Sequence, residues 1–137
     1  MESTLQQQLK HWRQHLHQHP ETGFEEVATS AYLAQILDEL GFDVHRGIGG
    51  TGVVANLTVG AGRRSIALRA DMDALNIAEQ APGRRYASLA SGKMHACGHD
   101  GHMSMLLGAA RLLAARRDFD GTVRLIFQPA EEHGRGA

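Results

Sequence analysis

Eight consecutive residues, His95-Ala96-Cys97-Gly98-His99-Asp100-Gly101-His102, hold three imidazoles, a carboxylate and the only cysteine of the chain. Thiolate, imidazole and carboxylate together form a ligand set for zinc and its neighbours in the transition series. The two glycines let the backbone fold tightly around whatever those side chains hold. Cys97 and His99 are two apart, so a looped backbone turns both toward one ion. His99 and His102 are three apart, one turn if a helix begins there. The bland alternative is a loop with a buried cysteine and solvated histidines, but ordinary loops rarely concentrate ligand types between glycines. A catalytic thiol is a weaker alternative, because neighbouring carboxylates raise a thiol's pKa.

A second acidic motif, Glu131-Glu132, follows the apolar run Leu125-Ile126-Phe127-Gln128-Pro129. Adjacent carboxylates repel unless a cation or a shared proton intervenes. With a metal present, one can ligate while the other takes a proton from water. Two acids in sequence usually lie solvated on a loop, and it is their place after a buried strand that favours the chemical reading. Arg69-Ala70-Asp71-Met72-Asp73 is similar. Its acids either orient a ligand histidine or cap a turn.

Two further patterns are set aside. Gly47-Ile48-Gly49-Gly50-Thr51-Gly52 matches the dinucleotide fingerprint, but a strand-like run follows it where the fingerprint needs a helix. His11, His15, His17 and His19 have no interleaved carboxylate or cysteine, and read as a solvated polar face.

The elements that must position these motifs follow from periodicity. Leu5, Leu9, Trp12 and Leu16 predict an amphipathic helix ended by Pro20. A second helix is expected from about Glu25 to Leu40, with Ala31, Tyr32, Ile36 and Leu40 inward and Gly41 as its stop. Strands are expected over 42–45, 52–59 and 65–70, with Gly60-Ala61-Gly62 as a turn. Residues 71–99 read as a long loop, of a length that is usually functional. Met103 to Ala115 reads as a buried helix and Thr122 to Phe127 as a buried strand. Strands separated by helices predict an α/β sheet covered on both faces. Ligands then bind beyond the strands' carboxyl ends, where both acidic motifs fall.

At 137 residues the chain fits one domain with a real core. Its 14 basic and 15 acidic residues nearly cancel, which argues against nucleic acid or an anionic membrane as partner. A single cysteine excludes an internal disulfide framework. The polar start lacks the apolar core of a signal peptide, and no run is long enough to span a bilayer. A reduced, cytoplasmic setting is expected. The ending directly after Glu131-Glu132 reads as a cut.

Four ordered segments resemble one family: His17-Gln18-His19-Pro20-Glu21 with Gly23-Phe24-Glu25-Glu26; Arg69 to Leu75; Met94 to His102 with Leu106-Leu107-Gly108-Ala109-Ala110; and Phe127 to Glu132. The chain is similar to the N-terminal part of the aminoacylase-like amidohydrolases of the zinc exopeptidase clan. These include hippurate hydrolases, N-acyl-amino-acid amidohydrolases and auxin-conjugate hydrolases. The resemblance implies a three-layer α-β-α sandwich, present here as its N-terminal part, with residues 1–137 forming a portion of the catalytic domain. It also implies two divalent ions, zinc or manganese first, with cobalt or nickel as alternatives. Cys97, His99 and Glu132 take ligand roles and Glu131 that of general base. Asp71 supports the site, and His102 has a supporting rather than a ligating place. Arg69 stands where related branches carry a histidine ligand.

The implied reaction is hydrolysis of N-acyl or N-aroyl amino acids or small peptides, by enzymes that are homodimeric at full length. Two departures stand out: Asn76 replaces a usual proline, and the family's dimerisation domain and later histidine ligands are missing. The chain alone is therefore expected to be inactive. A rival expectation is a non-catalytic, metal-binding or regulatory fragment of such an enzyme.

Overall fold

The computed structural model describes residues 3–80 and 83–137. Its elements run α1 (Thr4–Gln18), α2 (Val27–Glu39), β1 (Asp43–Ile48), β2 (Gly52–Val59), β3 (Ser65–Asp71), α3 (His99–Arg116) and β4 (Gly121–Gln128). A capping box starts α1: the Ser3 hydroxyl accepts from the Gln6 amide, and the Gln6 side chain accepts from the Ser3 amide. At its far end Pro20 removes the next backbone donor. Glu21 satisfies the first turn of α2, accepting from the amides of Ala28 and Thr29 and from the Thr29 hydroxyl.

The sheet order is β1-β2-β4-β3. β1 and β2 form an antiparallel hairpin. Its connection contains Gly49 and Gly50, whose φ values of 63° and 104° only glycine adopts cheaply. The fingerprint-like glycines are thus a hairpin turn, as the following strand required. β2 pairs antiparallel with β4, and β3 pairs parallel with it.

Alternation sorts the strands into two faces. Val53, Ala55 and Leu57 stand opposite Phe127, Leu125 and Val123 and are buried. They join Trp12, Leu16, Leu33, Leu37, Met103 and Leu107 in one core. On the other face, Asn56, Thr58, Arg124 and Ile126 are half-buried or exposed. The described residues therefore comprise a helical layer and the sheet, the first part of the expected sandwich. The described residues cover one face of the sheet, not the two that the alternation of strands and helices predicts.

Two expectations need correction. The inward face of α2 is formed by Leu33, Ala34 and Leu37, and Ala31 is exposed. Tyr32, Ile36 and Leu40 flank that face, half-buried against the core. The third helix begins at His99, four residues before its apolar run, because Gly98 takes a left-handed φ of 90° and turns the chain into it.

Candidate metal centre

The parallel register of β3 and β4 aligns Asp71 with Gln128. Both acidic motifs consequently leave the sheet at the same rim. The N-terminus of α3 reaches this rim, which places His99 and His102 on its first turn.

His99 is the centre of the arrangement and is almost wholly buried. Its Nδ1 lies 2.8 Å from the Asp73 carbonyl oxygen. A carbonyl only accepts, so Nδ1 carries a proton and Nε2 is the atom left to present a lone pair to a cation. That Nε2 faces Asp71 Oδ2 at 3.5 Å, Glu132 Oε1 at 3.6 Å and Glu131 Oε2 at 3.7 Å. A backbone carbonyl that fixes the tautomer is the usual support of a metal-ligating histidine.

Cys97, His99 and Glu132 bring one donor atom each within 4.8 Å of one another. Two further sets share His99: Asp71 with His102, and Asp73 with Glu131. The hydrogen bond to Glu132, then burial and the charges of Glu132, Glu131 and Asp71, push the Cys97 thiol up. This opposes a free nucleophilic thiolate, whereas a bound cation would reverse it. The donor set therefore fits a divalent transition ion better than it fits a thiol enzyme.

Asp71, at the end of β3, is buried and receives the His102 ring N–H at 2.7 Å. Burial raises its carboxyl, but the His102 hydrogen bond and the charges of His99 and His102 outweigh this and hold it low. Arg69 reaches Asp71 at 3.2 Å and Gln128 at 2.7 Å. An open cleft of about 430 Å³ adjoins these groups, lined by Arg69, Asp71, His102, Met105, Leu106 and Ala109.

The Glu131-Glu132 turn is built by Asp73, which the sequence offered as a histidine-orienting or turn-capping acid, and by Glu26, which sequence reasoning left without a role. The Asp73 carboxylate accepts the Glu131 amide at 3.1 Å and the Glu132 amide at 3.0 Å. The preceding amide, of Ala130, goes to the buried Glu26.

The reading of the N-terminal histidines as a solvated face is corrected at His17. Its ring is buried, with Nδ1 2.9 Å from Asp100 Oδ2 and Nε2 3.2 Å from Glu79 Oε1. The available signal was its place beside Leu16 on the apolar stripe. His11 and His19 are exposed, and His15 stacks on Tyr32. His95 is buried as well, and burial pushes its imidazole down to about 4.

A parallel strand pair that aims acids at a Cys-His turn on a helix N-terminus defines an α/β protein with a candidate transition-metal centre. The chain belongs to Peptidase family M20/M25/M40, whose family model matches residues 67–137. It is 49% identical over 136 residues to the N-acetyl-L-cysteine deacetylase of Bacillus subtilis, covering 98% of this chain and 32% of that protein. With the hippurate hydrolase of Campylobacter jejuni it shares 47% over 133 residues, 97% of this chain and 34% of that protein. The crystal structure of a Bacillus subtilis protein described as a dinuclear metal binding peptidase from the M20 family superposes with a TM-score of 0.88. Identity there is 42%, covering 96% of this chain and 37% of that one. The chain thus spans about a third of the length of these curated relatives. Among the described residues no helix is long and apolar enough to cross a membrane.

Proposed function

We propose that the protein to which this chain belongs is a metal-dependent amidohydrolase acting on N-acyl or N-aroyl amino acids or small peptides. The observation that carries this reading is the His99 ring. Its Nδ1–H is tied to a backbone carbonyl, and its free Nε2 faces Asp71, Glu131 and Glu132 beside Cys97.

In this reading Cys97, His99 and Glu132 hold divalent metal, zinc or manganese first and cobalt or nickel as alternatives, in a centre of two ions. When bound, such ions supply Lewis acidity and make water more acidic. Glu131 is the general base, next to a ligand yet half-exposed. It accepts a proton from the attacking water and returns it to the amide nitrogen as the C–N bond breaks. One water is consumed, and the products are a carboxylic acid and an amine. Asp71 holds His102 and its own charge beside His99, which favours cation binding there.

Three protein donors satisfy at most one tetrahedral ion with an open position, so a second ion needs ligands beyond these. The relatives named as a deacetylase and a hippurate hydrolase support the substrate class. The reading retains a homodimer for the whole protein. It also retains a cytoplasmic setting, in which a lone thiol stays reduced.

The test is hydrolysis of hippurate and N-acetyl amino acids by the whole protein. Activity is to vanish on chelation and return with zinc or manganese. Turnover that survives exhaustive chelation would overturn the reading.

A further inference from the structure

Glu26 sits at the N-terminus of α2 and is completely buried. A carboxylate in such a place is costly unless its oxygens are hydrogen-bonded. Both are. Oε2 accepts the Thr51 hydroxyl at 2.5 Å, and Oε1 accepts the Ala130 amide at 2.8 Å.

Ala130 is itself unusual. It is fully buried and has a left-handed φ of 48°. A residue with a Cβ keeps that conformation only where its surroundings hold it. The next two amides, of Glu131 and Glu132, both turn to the Asp73 carboxylate. Three successive N–H groups are thus held by two buried carboxylates, from the start of α2 and from the segment after β3.

We propose that Glu26 is a positioning residue for the metal centre. By gripping the Ala130 amide it holds the left-handed turn from which Glu131 and Glu132 face His99 and Cys97. The consequence for metal binding rests on the function proposed above; the hold on the turn does not.

The test uses Glu26→Met, which keeps most of the side-chain volume but removes both acceptor oxygens. Amide hydrogen exchange, followed by NMR, is expected to accelerate about tenfold at Ala130, Glu131 and Glu132, the loss of one hydrogen bond's net contribution. Val123 and Leu125 in β4 are expected to stay protected. Zinc affinity, measured by competition with a chromophoric chelator, should weaken about 10- to 100-fold, as for other supports of metal ligands. Unchanged exchange at all three amides would overturn the proposal. So would uniform acceleration through β4 with unchanged zinc affinity, which marks a merely structural group.

If Glu26→Met does not fold, Glu26→Asp, shorter by one methylene, keeps the charge and withdraws the carboxylate from the Ala130 amide more gently. It should accelerate exchange at the same three amides, and no change there overturns the proposal. A wild-type chain that takes up no zinc, or whose zinc binding ignores Glu132→Gln, would sink the metal reading instead. The exchange pattern would still decide for or against Glu26.

Discussion

The Asp73 carbonyl oxygen accepts the His99 Nδ1–H at 2.8 Å, while the Asp73 carboxylate accepts the amides of Glu131 and Glu132. One residue after β3 therefore sets the tautomer of the central imidazole and the orientation of the acidic pair. The site is held through its backbone as much as through its side chains.

Replacing Asp73 by alanine leaves two amides without acceptors but keeps the carbonyl that orients His99. The expected result is zinc affinity reduced by about 10- to 100-fold. The fold should lose about 1–3 kcal/mol for each amide left unsatisfied. Chelator competition and urea unfolding of the same variant measure the two effects separately. Unchanged zinc affinity would show that the acidic pair is fixed by other contacts.

Metal stoichiometry after exhaustive dialysis should be at most one ion per chain, because Cys97, His99 and Glu132 provide three donors. Cys97→Ala and His99→Ala should each abolish that uptake. Two tightly held ions in this chain would show a fuller donor set than these three residues supply.

Glu131 and Glu132 should separate cleanly. In the whole protein, Glu131→Gln is expected to retain metal and lose about 10²- to 10⁴-fold in turnover, the range of general acid–base catalysis. Glu132→Gln should lose the metal itself. The roles assigned to the pair would be exchanged if Glu131→Gln released the metal and Glu132→Gln retained it.

Acid should loosen the clamp around Glu79. Burial raises this carboxyl, but the Ser88 amide, His17 and Arg84 outweigh it and hold it below its ordinary 4.5. A carboxyl depressed by folding stabilises the native state above its unfolded value. That contribution disappears as pH falls through the lower folded value. Urea unfolding from neutral pH to below 4.5 should show Glu79→Gln less stable than wild type at neutral pH. The gap should close in acid, and a gap independent of pH would remove Glu79 from the account.

The candidate donor set was legible in the sequence because Cys97 and His99 lie within one short glycine-flanked stretch, and Glu132 follows a buried strand. Strands β2, β3 and β4 were legible from their apolar runs, to the residue for β2. The start of α3 was not, since Gly98 to His102 is polar and only the left-handed turn at Gly98 shows that a helix has begun. His17 was misread for a different reason. Its partners Glu79 and Asp100 lie 62 and 83 residues away, and its burial depends on α1 packing against α3. Glu26 carried no local mark at all, because the amide it holds lies 104 residues further on. The sequence by itself determined which residue types could hold a cation or move a proton, since residue type and short spacing are local properties. The tertiary structure alone decided which buried carboxylates hold those groups in place, because parallel pairing of β3 with β4 brings distant segments to one rim.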